Sequence, residues 1–455
     1  MKLSKKQKIQ LRRPRPLLFS GVVGILGLPW VGLFAISHQV RQQQPKIDRQ
    51  AIQYFSQLPV HKQNKSALKF DRLATGLGFL TNGGNDPALE INREAAAAFQ
   101  SIGPSLLAFL HAQTTKPAGP LDALPPDLSH YLDTYGDTIG QLQGHLLSAE
   151  SPLWEMDMLN FHLDSLLPGF VNVLNVQKLL LLTAINAQQQ GRTADSIASL
   201  EASWRLNQAI AQRPDLVSQT LAAIVSAQQA GLLRHFEDVP TYWQTRLSEQ
   251  NQQRSVMDGV TFEMWLQYLS TRRSWHFPEP VGETAKGTGL LDTVWFRKIS
   301  SASLSSLFSP EAYFQLIFLD TIFNAQKALV QLAELDICST PPIVAEQLLI
   351  DVQTARWHKG AVLSPMVTAK RWKLTGDRAL AIELSQQVLQ IKQHFDQYGD
   401  WPDKLAAPNS LACPEEYWIY QVSEAGTVNI TLSKSLLTMP VIPLQFQAKK
   451  PDRET

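Results

Sequence analysis

VNVLNVQKLLLLTAINAQQQ (171–190), TADSIASLEASWRLNQAIAQR (193–213) and LVSQTLAAIVSAQQAGLLRHF (216–236) follow one another with only Gly191-Arg192 and Pro214-Asp215 between them. Each run is predicted to be a helix. Gly191 ends the first, and Thr193 is the expected cap of the second. In the second, Ile197, Leu200 and Trp204, then Leu206 and Ile210, recur at three- and four-residue spacing. Arg213-Pro214-Asp215 breaks it, and the third sets Leu216, Thr220, Ala223, Ile224 and Ala227 on one face. Connections this short make consecutive helices antiparallel neighbours. The middle of the chain therefore reads as a stack of antiparallel helical hairpins, and the fold class as mainly α.

Helical hairpins raise the question of a repeat. Placing Gly191 at the loop glycine of a tetratricopeptide hairpin puts Ser196, Leu200, Ser203 and Gln208 where that family has Ala, an aromatic, Ala and Pro. No period of about 34 residues recurs. The expectation is tetratricopeptide-like packing without the repeat.

Upstream, residues 41–65 read as a stalk or the start of a helix. LTNGGNDP (80–87) is a loop with Asn82-Gly83 as its turn. A helix from Glu90 to about Ala112 is expected to break near Gly103-Pro104, and KPAGPLDALPPD (116–127) is a Pro-rich linker ending in Asp127 as a helix cap. Downstream, SWHFPEPVGETAKGTG (274–289) is a long loop, and SPEAYFQLIFLDTIFNAQKALVQLAEL (309–335) a long helix with Ser309 as cap. Thr375-Gly376-Asp377 is expected to start a helix with Leu380, Leu384, Val388, Ile391 and Phe395 on one stripe, ending at Tyr398-Gly399. EYWIYQV and TVNITL, alternating runs around Glu-Ala-Gly, read as a small C-terminal β-hairpin. The last 15 residues, Pro- and charge-rich, are expected to fray.

Far from the hairpins, residues 16–37 carry no charge and are strongly apolar from Leu17 to Ile36. The run is about the 20 residues that cross roughly 30 Å of hydrocarbon as a helix. Lys2, Lys5, Lys6, Lys8, Arg12, Arg13 and Arg15 precede it with no acidic residue among them. Positive charge marks the cytoplasmic end of a span. The reading is one N-terminal transmembrane helix, residues 16–38, in the inner (plasma) membrane of a bacterium. The N-terminus is then cytoplasmic and the bulk periplasmic or otherwise extracytoplasmic. Ala35-Ile36-Ser37 offers a small-x-small cleavage site as the rival, but signal-peptide apolar cores are shorter, about 7–15 residues.

The 455-residue chain is 44% apolar, as folded proteins are. Without the seven basic residues of the tail, 34 basic face 40 acidic residues. A mildly acidic exported part argues against nucleic acid as a partner. The two cysteines, Cys338 and Cys413, read as a disulfide or as two unrelated buried thiols; no spacing suits zinc. The organisation expected is a basic cytoplasmic tail (1–15), the anchor (16–38), a stalk with N-terminal helices (39–125), a helical-hairpin domain (126–255) and a mixed region with a long loop (256–308). A C-terminal helical domain ending in the β-hairpin (309–435) and a tail (436–455) complete it.

Tyr398, Gly399, Trp401, Pro402 and Leu405, then Pro414, Trp418 and Tyr420, make an ending of long helix, Tyr-Gly-x-Trp-Pro-x-x-Leu, Pro and aromatic hairpin. With the anchor and the helical element at 191–223, this resembles a broad group of uncharacterised bacterial membrane-anchored helical proteins. The ending is also similar to the C-terminal part of pseudopilins, although there the anchor helix runs directly into that part. The resemblance implies location and architecture and supplies no catalytic residues.

Catalytic spacing is sparse. Gly282 to Thr288 holds the letters of a phosphate loop, but Lys286 precedes the second glycine and no strand leads in. Ser66-Ala67-Leu68-Lys69 matches a serine–lysine step without its partner motifs. The densest cluster is SPLWEMDMLNFHLDSLLPGF (151–170), with Glu155, Asp157 and His162 as candidate acid/base residues. On a helix Asp157 and His162 do not share a face. His276 and Glu279 form a second candidate pair. No metal site or cofactor is read. The function expected is a membrane-anchored scaffold or interaction module with a protein partner in the envelope; the alternatives are a cell-envelope hydrolase and a component of a secretion or pilus-like apparatus.

Overall fold

The computed structural model describes residues 35, 38–81, 89–156, 169–274, 310–353, 363–433 and 444–449. All but residues 35 and 38 of the expected anchor lie outside them, as do Asp157, His162, Asn82-Gly83, Ser309 and the 275–289 stretch with His276 and Glu279.

Among the described residues the chain is mainly helical. The helices are α1 (38–56), α2 (Lys65–Gly76), α3 (Arg93–Thr115), α4 (Pro126–Ser148), α5 (Phe170–Gln189) and α6 (Thr193–Ala211). Then come α7 (Leu216–Leu233), α8 (Tyr242–Ser248), α9 (Gln252–Ser274), α10 (Pro310–Glu334), α11 (Pro342–Gln353) and α12 (Pro365–Tyr398). Local chemistry sets several starts. The side chains of Asn64, Asn92 and Asp215 accept from the backbone N–H of Ala67, Ala95 and Ser218, filling donors that a helix start leaves orphaned. Asp127 and Thr193, expected as caps, instead lie inside the first turns of α4 and α6, whose N-caps are Pro125 and Arg192.

Three hydrophobic clusters hold the described residues together. The largest joins α2 to α8; Leu179–Leu182 and Ile185 of α5, Leu200 and Leu206 of α6, and Leu232 and Leu233 of α7 are all buried in it. α5 packs most extensively on α6, and α7 on α6, α9 and α12. The second cluster joins α1, α9 and α10. Of the two readings of residues 41–65, the start of a helix is found: α1 buries Val40, Ile47, Ala51 and Phe55, and Tyr268 Oη of α9 donates to Asp48 at 2.6 Å. The third joins α10 to α12 with the sheet, around Trp372, Trp401 and Trp418. Among the described residues three helices, α3, α5 and α7, are long and apolar enough to cross a membrane. The apolar side chains of α5 and α7 are largely buried inside the protein.

Three further expectations are corrected. α3 runs unbroken through Gly103-Pro104, because Ile102 and Leu106 on either side are buried and outweigh the hydrogen bond that proline forgoes. α12 begins ten residues before Thr375, at Pro365, so Gly376 is not a start signal. A Cβ there would lie 2.7 Å from Ile337 Cγ1; the glycine lets α12 cross the turn after α10 at close range. The C-terminal hairpin, β1 (Trp418–Val422) and β2 (Thr427–Leu432), gains a third strand, β3 (Gln445–Lys449), in an antiparallel sheet of order β1-β2-β3. Phe446 pairs opposite Ile430 and is buried, so this part of the tail is docked by one alternating apolar residue. A disulfide joins Cys338, after α10, to Cys413, before β1, across 75 positions.

Candidate functional site

Of the sequence-derived candidates, Glu155 and the Ser66–Lys69 step lie among the described residues. Residues 151–156 form no helix, and Met156 pairs with His61 in an isolated bridge. Glu155 is exposed, and its backbone carbonyl accepts from Arg213 Nη1 at 3.4 Å. Arg213 is itself buried beside Asp215, 3.3 Å away, the residue that caps α7. Ser66 is buried; its Oγ donates to the Glu150 carbonyl and lies 3.1 Å from His145 Nε2, while Lys69 is exposed. Ser66 thus ties α2 to α4, and no serine–lysine pair forms.

A different site lies where α7 ends. Gly231 sits against α3 so closely that a Cβ would fall 2.3 Å from the Thr114 carbonyl oxygen. This approach carries the next turn, Arg234, into the interior at 1% exposure. Its Nη2 donates to that same Thr114 carbonyl at 3.4 Å, while Nε and Nη1 find no partner among the described residues. Desolvation alone lowers its pKa, to about 10.

Lys392 of α12 reaches across 158 positions to cap α7. Its Nζ donates to the carbonyls of Arg234 at 2.7 Å and Phe236 at 2.9 Å. Burial pushes its ammonium down to about 8. His235 is half-buried with Nδ1 3.1 Å from the Gly119 carbonyl; burial and then the Arg234 charge push its imidazole down to about 4. The loop after α3 and strand β3 close the far side: Gln447 N–H donates to the Pro117 carbonyl at 2.8 Å.

These elements enclose a cleft of about 770 Å³. Arg234 and Lys392 line it from the buried side, Phe395, Trp401 and Phe446 supply its apolar lining, and the exposed carboxylates of Glu237, Asp238 and Asp396 stand at the rim. The volume is that of a small-molecule site. Cationic donors held out of water beside apolar walls can bind and orient an anion. Sequence reasoning missed this site because its parts come from Thr114, Arg234, Lys392 and Phe446. The one signal was an arginine inside the apolar run GLLRHF.

The chain matches no protein-family model, no curated protein and no solved structure.

Proposed function

We propose that the protein is a scaffold or protein-interaction module of the bacterial envelope. Residues 16–38 anchor it by a single span in the plasma membrane, and residues 39 onward lie on the extracytoplasmic side. The observation that carries this reading is the Cys338–Cys413 disulfide, a bond that persists in oxidising compartments. The apolar run and its basic flank support it from the sequence. The stacked hairpins offer partners an extended surface, in the manner of helical arrays that lack a true repeat. Alkaline phosphatase fused after Thr455 should be active, and the full-length chain should resist carbonate extraction. A cytosolic reporter, or a chain that washes off, sinks the reading. Mild detergent extraction should bring a stoichiometric protein partner with it.

A further inference from the structure

We propose that the cleft between the end of α7, α12 and β3 binds a singly charged carboxylate carried on an apolar body, with Arg234 as its anchor. The inference goes beyond the envelope reading and stands without it.

A fully buried arginine is costly and is nearly always paired. Arg234 has one carbonyl, at 3.4 Å, and two unfilled donor groups, Nε and Nη1, with no carboxylate partner among the described residues. The fold spends stability to hold a cation at this place. A bound oxyanion repays that cost by filling the vacant donors.

Lys392 adds to the same side. An ammonium has three donors, and two are used on the carbonyls of Arg234 and Phe236, which leaves one for a ligand. The imidazole of His235, neutral at pH 7, adds no charge there. The rim decides between anions. Glu237, Asp238 and Asp396 face the same opening, with Lys449 as the one further cation among the described residues, so a dianion such as phosphate is repelled more than a monoanion. Phe395, Trp401 and Phe446 give an apolar body something to lie against. A free organic acid and the C-terminal carboxylate of a peptide share this chemistry.

The test uses the full-length protein in a nonionic detergent, with sodium benzoate as probe, benzamide as its uncharged counterpart and inorganic phosphate as the dianion. Calorimetry should show saturable benzoate binding, weaker phosphate binding and benzamide weaker still. Glycylphenylalanine against its amide separates the peptide source from the free acid. Arg234→Met should weaken benzoate at least about tenfold, as loss of a charged hydrogen bond does, and the ligand-free variant should melt at or above the wild-type temperature. Arg234→Lys keeps the charge but not the planar donors and should also lose most of the affinity. Benzamide binding as tightly as benzoate, phosphate outcompeting it, or no benzoate binding overturns the proposal. So does an Arg234→Met chain that binds normally or melts well below wild type, since Arg234 is then a structural residue.

Discussion

At single residues, the groups that set this fold are polar side chains held out of water. Glu383 of α12 accepts from Ser410 Oγ at 2.6 Å and from the Ala412 N–H at 2.5 Å, fixing the turn that carries Cys413. Glu383→Ala strands both donors and should cost about 2–4 kcal/mol in urea denaturation, while Glu383→Gln should keep part of that. Burial raises the carboxyl's pKa, so its folded state holds the proton more tightly than the unfolded chain. That contribution is complete below the unfolded value and is lost as pH rises through the folded one. His235 has the opposite sign. Its folded pKa of about 4 lies below the ordinary 6.5, so the fold prefers the neutral ring. Stability from this group should be full above pH 6.5 and fall as pH drops toward 4; His235→Asn should flatten that window in denaturation curves taken across pH. Neither partner set is legible in sequence, because Glu383 meets Ser410 and His235 meets Gly119 only through the tertiary fold.

For the helices, glycine separates local preference from packing. Gly140, in the middle of α4, has no atom within 4 Å of an added Cβ, so Gly140→Ala should stabilise by about 0.5–1 kcal/mol. Gly376, in the middle of α12, faces Ile337 at 2.7 Å, and Gly376→Ala should destabilise by about 1–3 kcal/mol despite the same gain in propensity. Thermal denaturation of the two variants reads the contrast directly. The helices from 171 to 233 were legible because their breaks, Gly191-Arg192 and Pro214-Asp215, are strong local signals. The unbroken α3 and the early start of α12 were not, since buried side chains around Pro104 and Gly376 override what those residues favour alone. The third strand was hidden for a related reason: QFQAK alternates weakly and is held by pairing with β2 and by Phe446 in the core.

In the molecule as a whole, three clusters meet along α7, α9 and α12, and the disulfide staples the last of them. Cys338 and Cys413 are both buried in the C-terminal cluster, closing a loop of 75 residues. Reduction, or Cys338→Ser with Cys413→Ser, should therefore cost about 2–5 kcal/mol, seen as a lower melting temperature of the C-terminal region in calorimetry. The cleft sits beside this stapled region, lined by α7, α12 and β3, so weakening the C-terminal cluster should also weaken benzoate binding there.

The sequence by itself determined the helical class, the helices between 171 and 233 and the strands at 418–432, because these follow from periodicity and breakers within a few residues of each other. Only the tertiary structure decided which polar groups end up buried, and with it the cleft around Arg234. Burial there depends on Gly231 admitting Thr114, and on Lys392 and Phe446 arriving from parts of the chain more than 150 residues away. No local pattern in the sequence records such an encounter.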